Sequence, residues 1–246
     1  MTVDFRTIGE VRFSLYDMIQ KLINILPNDM IGEKNTAAPP HLFETSNDEA
    51  SPLLEKKVKD LFHTITATTL FISRVRADLK LGTGFCCTRV KNPNQNDYSK
   101  LSHMMKYLQK YKFLPTILRT EGNGVSIYLD GSYATHSDMK GHSGEWVTEG
   151  KGGVYSSSTK HKLNTLSSTE AEIVTVGEKL PKSIWYQYFR IEQGGSSIED
   201  VLLQDNQSAM LIENHGRFSC RKGSKHIHIR YFFITDRISK KEVRVE

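Results

Sequence analysis

The sequence has no run of about eighteen apolar residues, so no membrane-spanning helix is expected. Its N-terminus, MTVDFRTIGEVRF, lacks the basic-then-apolar pattern of a secretory signal. Cysteine is scarce. Cys86 and Cys87 are adjacent and Cys220 is isolated, which gives neither a disulfide framework nor a zinc-ligand spacing. That usage points to a reducing, intracellular compartment, cytoplasmic or nuclear. Acidic residues are in deficit as well, 28 against 33 Lys and Arg, for a net charge of +5 and a pI near 9.0. The excess is uneven: nine Lys and Arg against three Asp and Glu lie between His215 and Glu246. Such a field attracts polyanions, nucleic acid foremost, although a solvated basic face explains the same charge.

What is present suffices for one large domain or two small ones in 246 residues, with 38% apolar content and a rather polar mean hydropathy of -0.44. Residues 11–26 carry apolar positions at helical spacing, ended by Pro27. Residues 32–52, rich in proline and small polar residues, read as a linker. A second helical pattern runs from Leu53 to about Thr83. A third covers 97–112, where Leu101, Met104, Met105 and Leu108 recur at three- and four-residue steps and are expected in a core. The texture then changes. GVSIYL (124–129) alternates like a strand, and GEWVTEG and GGVYSSS suggest an antiparallel hairpin. A helix is expected from Thr169 to about Lys179, separated by Pro181 from a second helical stretch, SIWYQYFRIEQ. VLLQ reads as a strand, NQSAMLIENHG and KHIHIRYFFITDRI as helices, and EVRVE as a last strand. That order implies a mixed sheet with helices packed on it.

Two acids stand just after predicted strands, Asp130 in IYLDGSY and Asp205 in LLQDNQS, and Glu170 opens the helix between them. Carboxylates gathered at one rim of a sheet repel one another and call for a cation. A set of hard oxygens favours Mg2+ or Mn2+, and two such ions about 4 Å apart activate water against a phosphodiester. Each residue also has a plainer explanation. Asp130 before Gly131 is a turn pair. Asp205 before Asn206 caps a helix. Glu170, three after Ser167, and Glu172, three after Thr169, both fit a capping box.

The strings SSTEAE, DNQSA and KHIHIRYFF resemble the ribonuclease H domain of copia-type retrotransposon polyproteins, and YLDGSYATHSDMKGHSG and GKGGVYSSSTKHKLNTLSSTEAE extend the likeness. The resemblance implies an α/β fold: a ribonuclease H-like mixed sheet flanked by helices, preceded by a mostly helical connection region. The implied domains are a remnant of the reverse-transcriptase palm end at 1–31, a linker at 32–52, the helical connection at 53–122, and a ribonuclease H-like domain at 123–246. It carries the first-strand aspartate over to Asp130, the helix glutamate to Glu170 and the fourth-strand aspartate to Asp205, as ligands of Mg2+ or Mn2+. Glu172, two residues on and about 200° round the helix, is the second candidate. The implied reaction is hydrolysis of RNA in an RNA–DNA hybrid. Gly131, Ser132, Asn206 and Gln207 would line the groove, and Arg221, Lys222 and Lys225 would hold phosphates. His226 and His228 match a motif on a helix read as structural.

The sequence departs from the family in two ways. The polymerase motif, tyrosine, any residue, then two aspartates, is absent, so synthesis would need a palm-containing polymerase subunit. The family's segment LADFFTKP, with its fourth carboxylate, does not follow Glu246. Asp236 belongs to the preceding helix and does not take that role. The expectation is a domain lacking its last helix, with weak or no cleavage. A non-catalytic nucleic-acid-binding remnant of a mobile element, and a decayed fragment without function, are the alternatives.

Overall fold

The computed structural model describes residues 1–45, 51–122, 124–195, 200–216 and 228–246. They divide into two compact units, Met1–Ile117 and Leu118–Glu246, each with its own core.

The first unit opens with a hairpin. β1 (Thr2–Asp4) pairs antiparallel with β2 (Val11–Ser14), Thr2 opposite Ser14 and Asp4 opposite Arg12. Helical spacing over 11–26 thus gives way to strand in its first turn, because Val11 to Ser14 find a pairing partner upstream. The helix α1 (Tyr16–Ile23) follows, then α2 (Lys56–Ile72), α3 (Lys80–Arg89) and α4 (Gln95–Lys110). The single helical pattern expected over Leu53–Thr83 is two helices. Between them Ser73 Oγ donates to the Leu70 carbonyl, and buried Arg76 pairs with Asp78 while donating to the Tyr111 carbonyl. Those bonds hold the chain out of helix until a short 3-10 turn at Ala77–Leu79. The α4 helix starts on a full capping box: Asn94 Oδ1 accepts from Asp97 N–H at 2.9 Å, and Asp97 Oδ2 accepts from Asn94 N–H at 3.0 Å. Leu101, Met104, Met105 and Leu108 are all buried in the core, with Ile19, Leu22, Phe62 and Ile65. The 32–45 stretch has no helix or strand, yet Leu42 is buried and Ala37, Ala38 and Phe43 pack on the same core.

β3 (Thr116–Thr120) lies at the boundary between the units and pairs with the short β6 (Gly150–Lys151) through Arg119 and Thr120. The second unit is built on a five-stranded mixed sheet. Its strands are β4 (Ser126–Ser132), β5 (His142–Thr148), β7 (Gly153–Lys160), β8 (Asp200–Leu203) and β9 (Val243–Val245), in the order β7-β5-β4-β8-β9. β4, β5 and β7 form an antiparallel meander, whereas β8 and β9 run parallel to β4. Parallel neighbours need crossovers. These are supplied by α5 (Ser168–Glu192) between β7 and β8, and by α6 (Gln207–His215) and α7 (His228–Ser239) between β8 and β9. Alternation along β4 buries Val125, Ile127 and Leu129 on one face, where they meet Val176, Leu180 and Ile184 of α5. This is the mixed sheet flanked by helices that the motifs imply, preceded by a mostly helical unit.

One expected break does not occur. Pro181 sits inside α5, a single helix of 25 residues. Pro181 is exposed, and the residue whose carbonyl loses its N–H donor is Gly177, which is only half-buried. Solvent can satisfy that carbonyl, and the buried stripe on the opposite face holds the helix together across the gap.

Candidate active site

β4 and β8 lie side by side in parallel, with Tyr128 opposite Leu203 as the last registered pair. Two residues beyond that pair stand Asp130 and Asp205, both exposed. Neighbouring strands are about 4.8 Å apart, so the sheet itself delivers two acids to one rim.

The third acid of the cluster is Glu172. At Gly131 the strand passes so close to α5 that a Cβ would lie 2.6 Å from the Ala171 carbonyl oxygen, so only glycine fits. That approach lets the Gly131 N–H donate to Glu172 Oε2 at 2.9 Å. Glu172 is buried, and its carboxyl is pushed up to about 7, first by burial and then by the negative charges of Asp130 and Asp205. The Gly131 N–H and the Gln204 side chain pull the other way. Asp130, Glu172 and Asp205 are therefore coupled through their charges. Among the described residues, no group of three or more His, Cys, Asp or Glu side chains is drawn close enough to share a metal ion.

Glu170 is placed elsewhere. Its Oε2 accepts the Leu166 N–H at 2.6 Å, and its own N–H donates to Ser167 Oγ at 3.1 Å. It lies buried in the first turn of α5, whose N-cap is Ser167. The helix glutamate beside the two aspartates is thus the second candidate, Glu172, in place of Glu170. The signal was present in the sequence: Glu172, Val176, Leu180 and Ile184 form one i, i+4 ladder, and its last three members face the sheet. Phase measured from Glu170, whose carboxylate turns back to the Leu166 N–H, put Glu172 on the wrong side. Measured from the apolar stripe, it points at the sheet.

The expected substrate contacts are mostly committed within the fold. Gly131 N–H is taken by Glu172. Ser132 Oγ donates to the His142 carbonyl at 3.3 Å and accepts from Thr135 Oγ1 at 2.7 Å. Asn206 Oδ1 caps α6, accepting from the Ser208 and Ala209 N–H groups at 3.1 Å. Gln207 is exposed in the first turn of that helix. Arg221, Lys222, Lys225 and His226 lie outside the described residues, and His228 opens α7. Beside the rim, the loop between β4 and β5 is pinned by two buried histidines. His136 Nε2 meets His142 Nδ1 at 3.1 Å, and His142 Nε2 meets Ser158 Oγ at 2.7 Å. Burial pushes both imidazoles down to about 4.

No family model matches the chain. Over 171 residues, 69% of its length, it is 25% identical to the retrovirus-related Pol polyprotein from transposon TNT 1-94 of Nicotiana tabacum, and it spans 13% of that relative. Among solved structures it is similar to LC11-RNase H1 isolated from compost by a metagenomic approach. That match has 14% identity and a TM-score of 0.36, over 50% of this chain and 83% of the other. RNase H1 from the halophilic archaeon Halobacterium salinarum NRC-1 gives 12% identity and a TM-score of 0.32, over 50% and 84%. The foamy viral protease-reverse transcriptase, solved in complex with an RNA/DNA hybrid, gives 11% and 0.49, over 97% and 28%. At such scores the superpositions add nothing to the strand order already described. The chain is similar over 69% of its length to a retrotransposon Pol polyprotein, and Leu118–Glu246 folds as a mixed α/β unit on the five-stranded sheet β7-β5-β4-β8-β9.

Proposed function

We propose that the second unit hydrolyses the RNA strand of RNA–DNA hybrids with a divalent cation that would draw Asp130, Glu172 and Asp205 together, since as they stand the three do not share one ion site. The observation that carries this reading is the buried Glu172 carboxyl, which accepts the Gly131 N–H at the end of β4 and feels the charges of Asp130 and Asp205. A carboxyl so placed binds either a proton or a cation. The donor set is all oxygen, which suits Mg2+ or Mn2+. When bound, such an ion lowers the pKa of water and neutralises charge on a phosphodiester. The chain's own residues set up that chemistry. β4 and β8 hold Asp130 and Asp205 on rigid backbone, and Gly131 N–H orients Glu172. The three side chains are coupled without being drawn together, so hydrolysis is expected to be slow.

The test is cleavage of a labelled RNA–DNA hybrid with and without Mg2+ or Mn2+. Cleavage of the RNA strand alone, dependent on the ion and abolished by Asp205→Asn, is the expected result. Equal cleavage by the variant would remove the proposal.

A second reading, a nucleic-acid-binding unit without catalysis, is favoured by the absence of a drawn-together ligand set among the described residues and by the net charge of +5. Asp130→Ala separates the two readings. It abolishes ion-dependent cleavage in the first, and leaves hybrid binding equal or tighter in the second, because a negative charge has gone. A palm-containing polymerase subunit is the protein partner that both readings propose.

A further inference from the structure

Behind the rim a single hydroxyl ties three segments of the chain together. Thr175, one turn beyond Ala171 on α5, is 0% exposed. Its Oγ1 donates to the Ala171 carbonyl at 2.9 Å. The same oxygen stands 2.9 Å from Ser143 Oγ on β5 and 3.2 Å from Nε2 of His161, the residue after β7. Ser143 and His161 are buried as well. A hydroxyl has one proton and two lone pairs. The proton goes to Ala171, so Ser143 Oγ and His161 Nε2 both donate. That fixes the Ser143 rotor and places a proton on His161 Nε2. Thr175 thus makes every bond it can make, and two buried donors find their acceptor in it. A polar network satisfied in this way holds one arrangement.

The place of this network ties it to the site. Ser143 is the residue opposite Gly131 in the β4–β5 ladder. A Cβ on Gly131 would lie 2.5 Å from Thr175 Oγ1, so the hydroxyl borders the space that only glycine can occupy. From that same glycine the N–H donates to Glu172 Oε2 at 2.9 Å. The bond is made only while α5 and β4 keep this separation. We propose that Thr175 is a positioning residue: its hydroxyl clamps α5 to β5 beside Gly131 and so holds Glu172 within reach of the Gly131 N–H. Without the hydroxyl, apolar contact alone would hold α5 here, and two buried donors would be left without an acceptor. The inference rests on Glu172 being a site carboxylate.

The experiment compares three variants with the wild-type chain. Thr175→Val keeps the shape of the side chain and removes the hydroxyl. Thr175→Ser keeps the hydroxyl and removes the methyl. Ile184→Val thins the core further along α5 and leaves the network alone. The readouts are Mn2+ affinity by titration calorimetry, the thermal midpoint, and the NMR shift of the Gly131 amide proton in metal-free protein. An amide proton held by a carboxylate resonates downfield, and lengthening that bond moves it upfield. Thr175→Val is expected to move the Gly131 signal upfield and to weaken Mn2+ binding about 10-fold, the scale seen when a ligand's supporting partner is lost. Thr175→Ser is expected to keep the wild-type shift and to stay within about 2-fold of wild-type affinity. Ile184→Val is expected to lower the midpoint and change neither of the other readouts. A wild-type shift and affinity in Thr175→Val overturn the proposal. So does a serine variant that loses as much as valine, or an Ile184→Val variant that moves the Gly131 signal equally, since Thr175 would then act by packing. Should Thr175→Val fail to fold, Ser143→Ala decides: an upfield move of Gly131 sustains the clamp, and an unmoved signal ends it. Should the wild-type chain take up no Mn2+, the cation reading of the site fails, and the Gly131 shifts alone decide whether Thr175 positions Glu172.

Discussion

Glu170 and Glu172 are separated by one residue and do different work. Glu170 closes the first turn of α5 by accepting the Leu166 N–H, and Glu172 faces Asp130 and Asp205. Glu170→Ala is therefore expected to cost about 1 kcal/mol of stability, as loss of a capping contact does, and to leave Mn2+ affinity unchanged. Glu172→Gln is expected to abolish Mn2+ binding in the same calorimetric titration. Its effect on stability depends on pH. Glu172 holds its proton in the folded chain up to about 7, against an ordinary 4.5. Its contribution is thus fully present below 4.5 and is lost as pH rises through about 7. Replacing it should stabilise the metal-free chain at pH 8, by about 2 kcal/mol after screening, and much less at pH 5, as read from denaturation midpoints. The histidines carry the opposite sign. His136 and His142 are depressed from 6.5 to about 4, so their contribution is complete above 6.5 and lost as pH falls toward 4. Gly131→Ala forces a methyl against the α5 backbone. A loss of about 1–3 kcal/mol is expected, with weakened Mn2+ binding, because the N–H that orients Glu172 must move.

At the level of elements, what could be read from the sequence was what local chemistry decides. Alternation marked β4, the Met and Leu spacing marked α4, and the strings before Asp130 and Asp205 marked two strand ends. What could not be read depended on distant partners. Val11 to Ser14 share helical spacing with α1 and become strand where Thr2–Asp4 pairs with them. The short β3 pairs with β6, some thirty residues on. Pro181 signals a break that packing overrides, since Leu180 and Ile184 anchor both sides of it on the sheet. Pro181→Ala should restore the bond to the Gly177 carbonyl. A rise in thermal midpoint corresponding to about 1–2 kcal/mol is expected, below the full interior-proline penalty because the unfolded chain also gains freedom. A fall in midpoint would show that the break in the ladder is required by the packing of α5.

For the whole molecule, two units with separate cores predict two separable unfolding transitions. The charge of the chain adds a polyanion term. If the basic segment from His215 onward holds phosphates, hybrid binding should weaken steeply between 50 and 200 mM salt, and a flat salt response would remove nucleic acid from the account. The catalytic half of the account stands on one carboxyl. The most direct measurement is the 13C NMR titration of the Glu172 carboxyl in metal-free protein, repeated in Asp130→Asn and Asp205→Asn and again with Mg2+ present. Titration near 7, a lower value in each variant, and loss of the proton when the ion binds are the expected results. Titration at the ordinary 4.5, indifferent to both aspartates and to Mg2+, would contradict the catalytic reading.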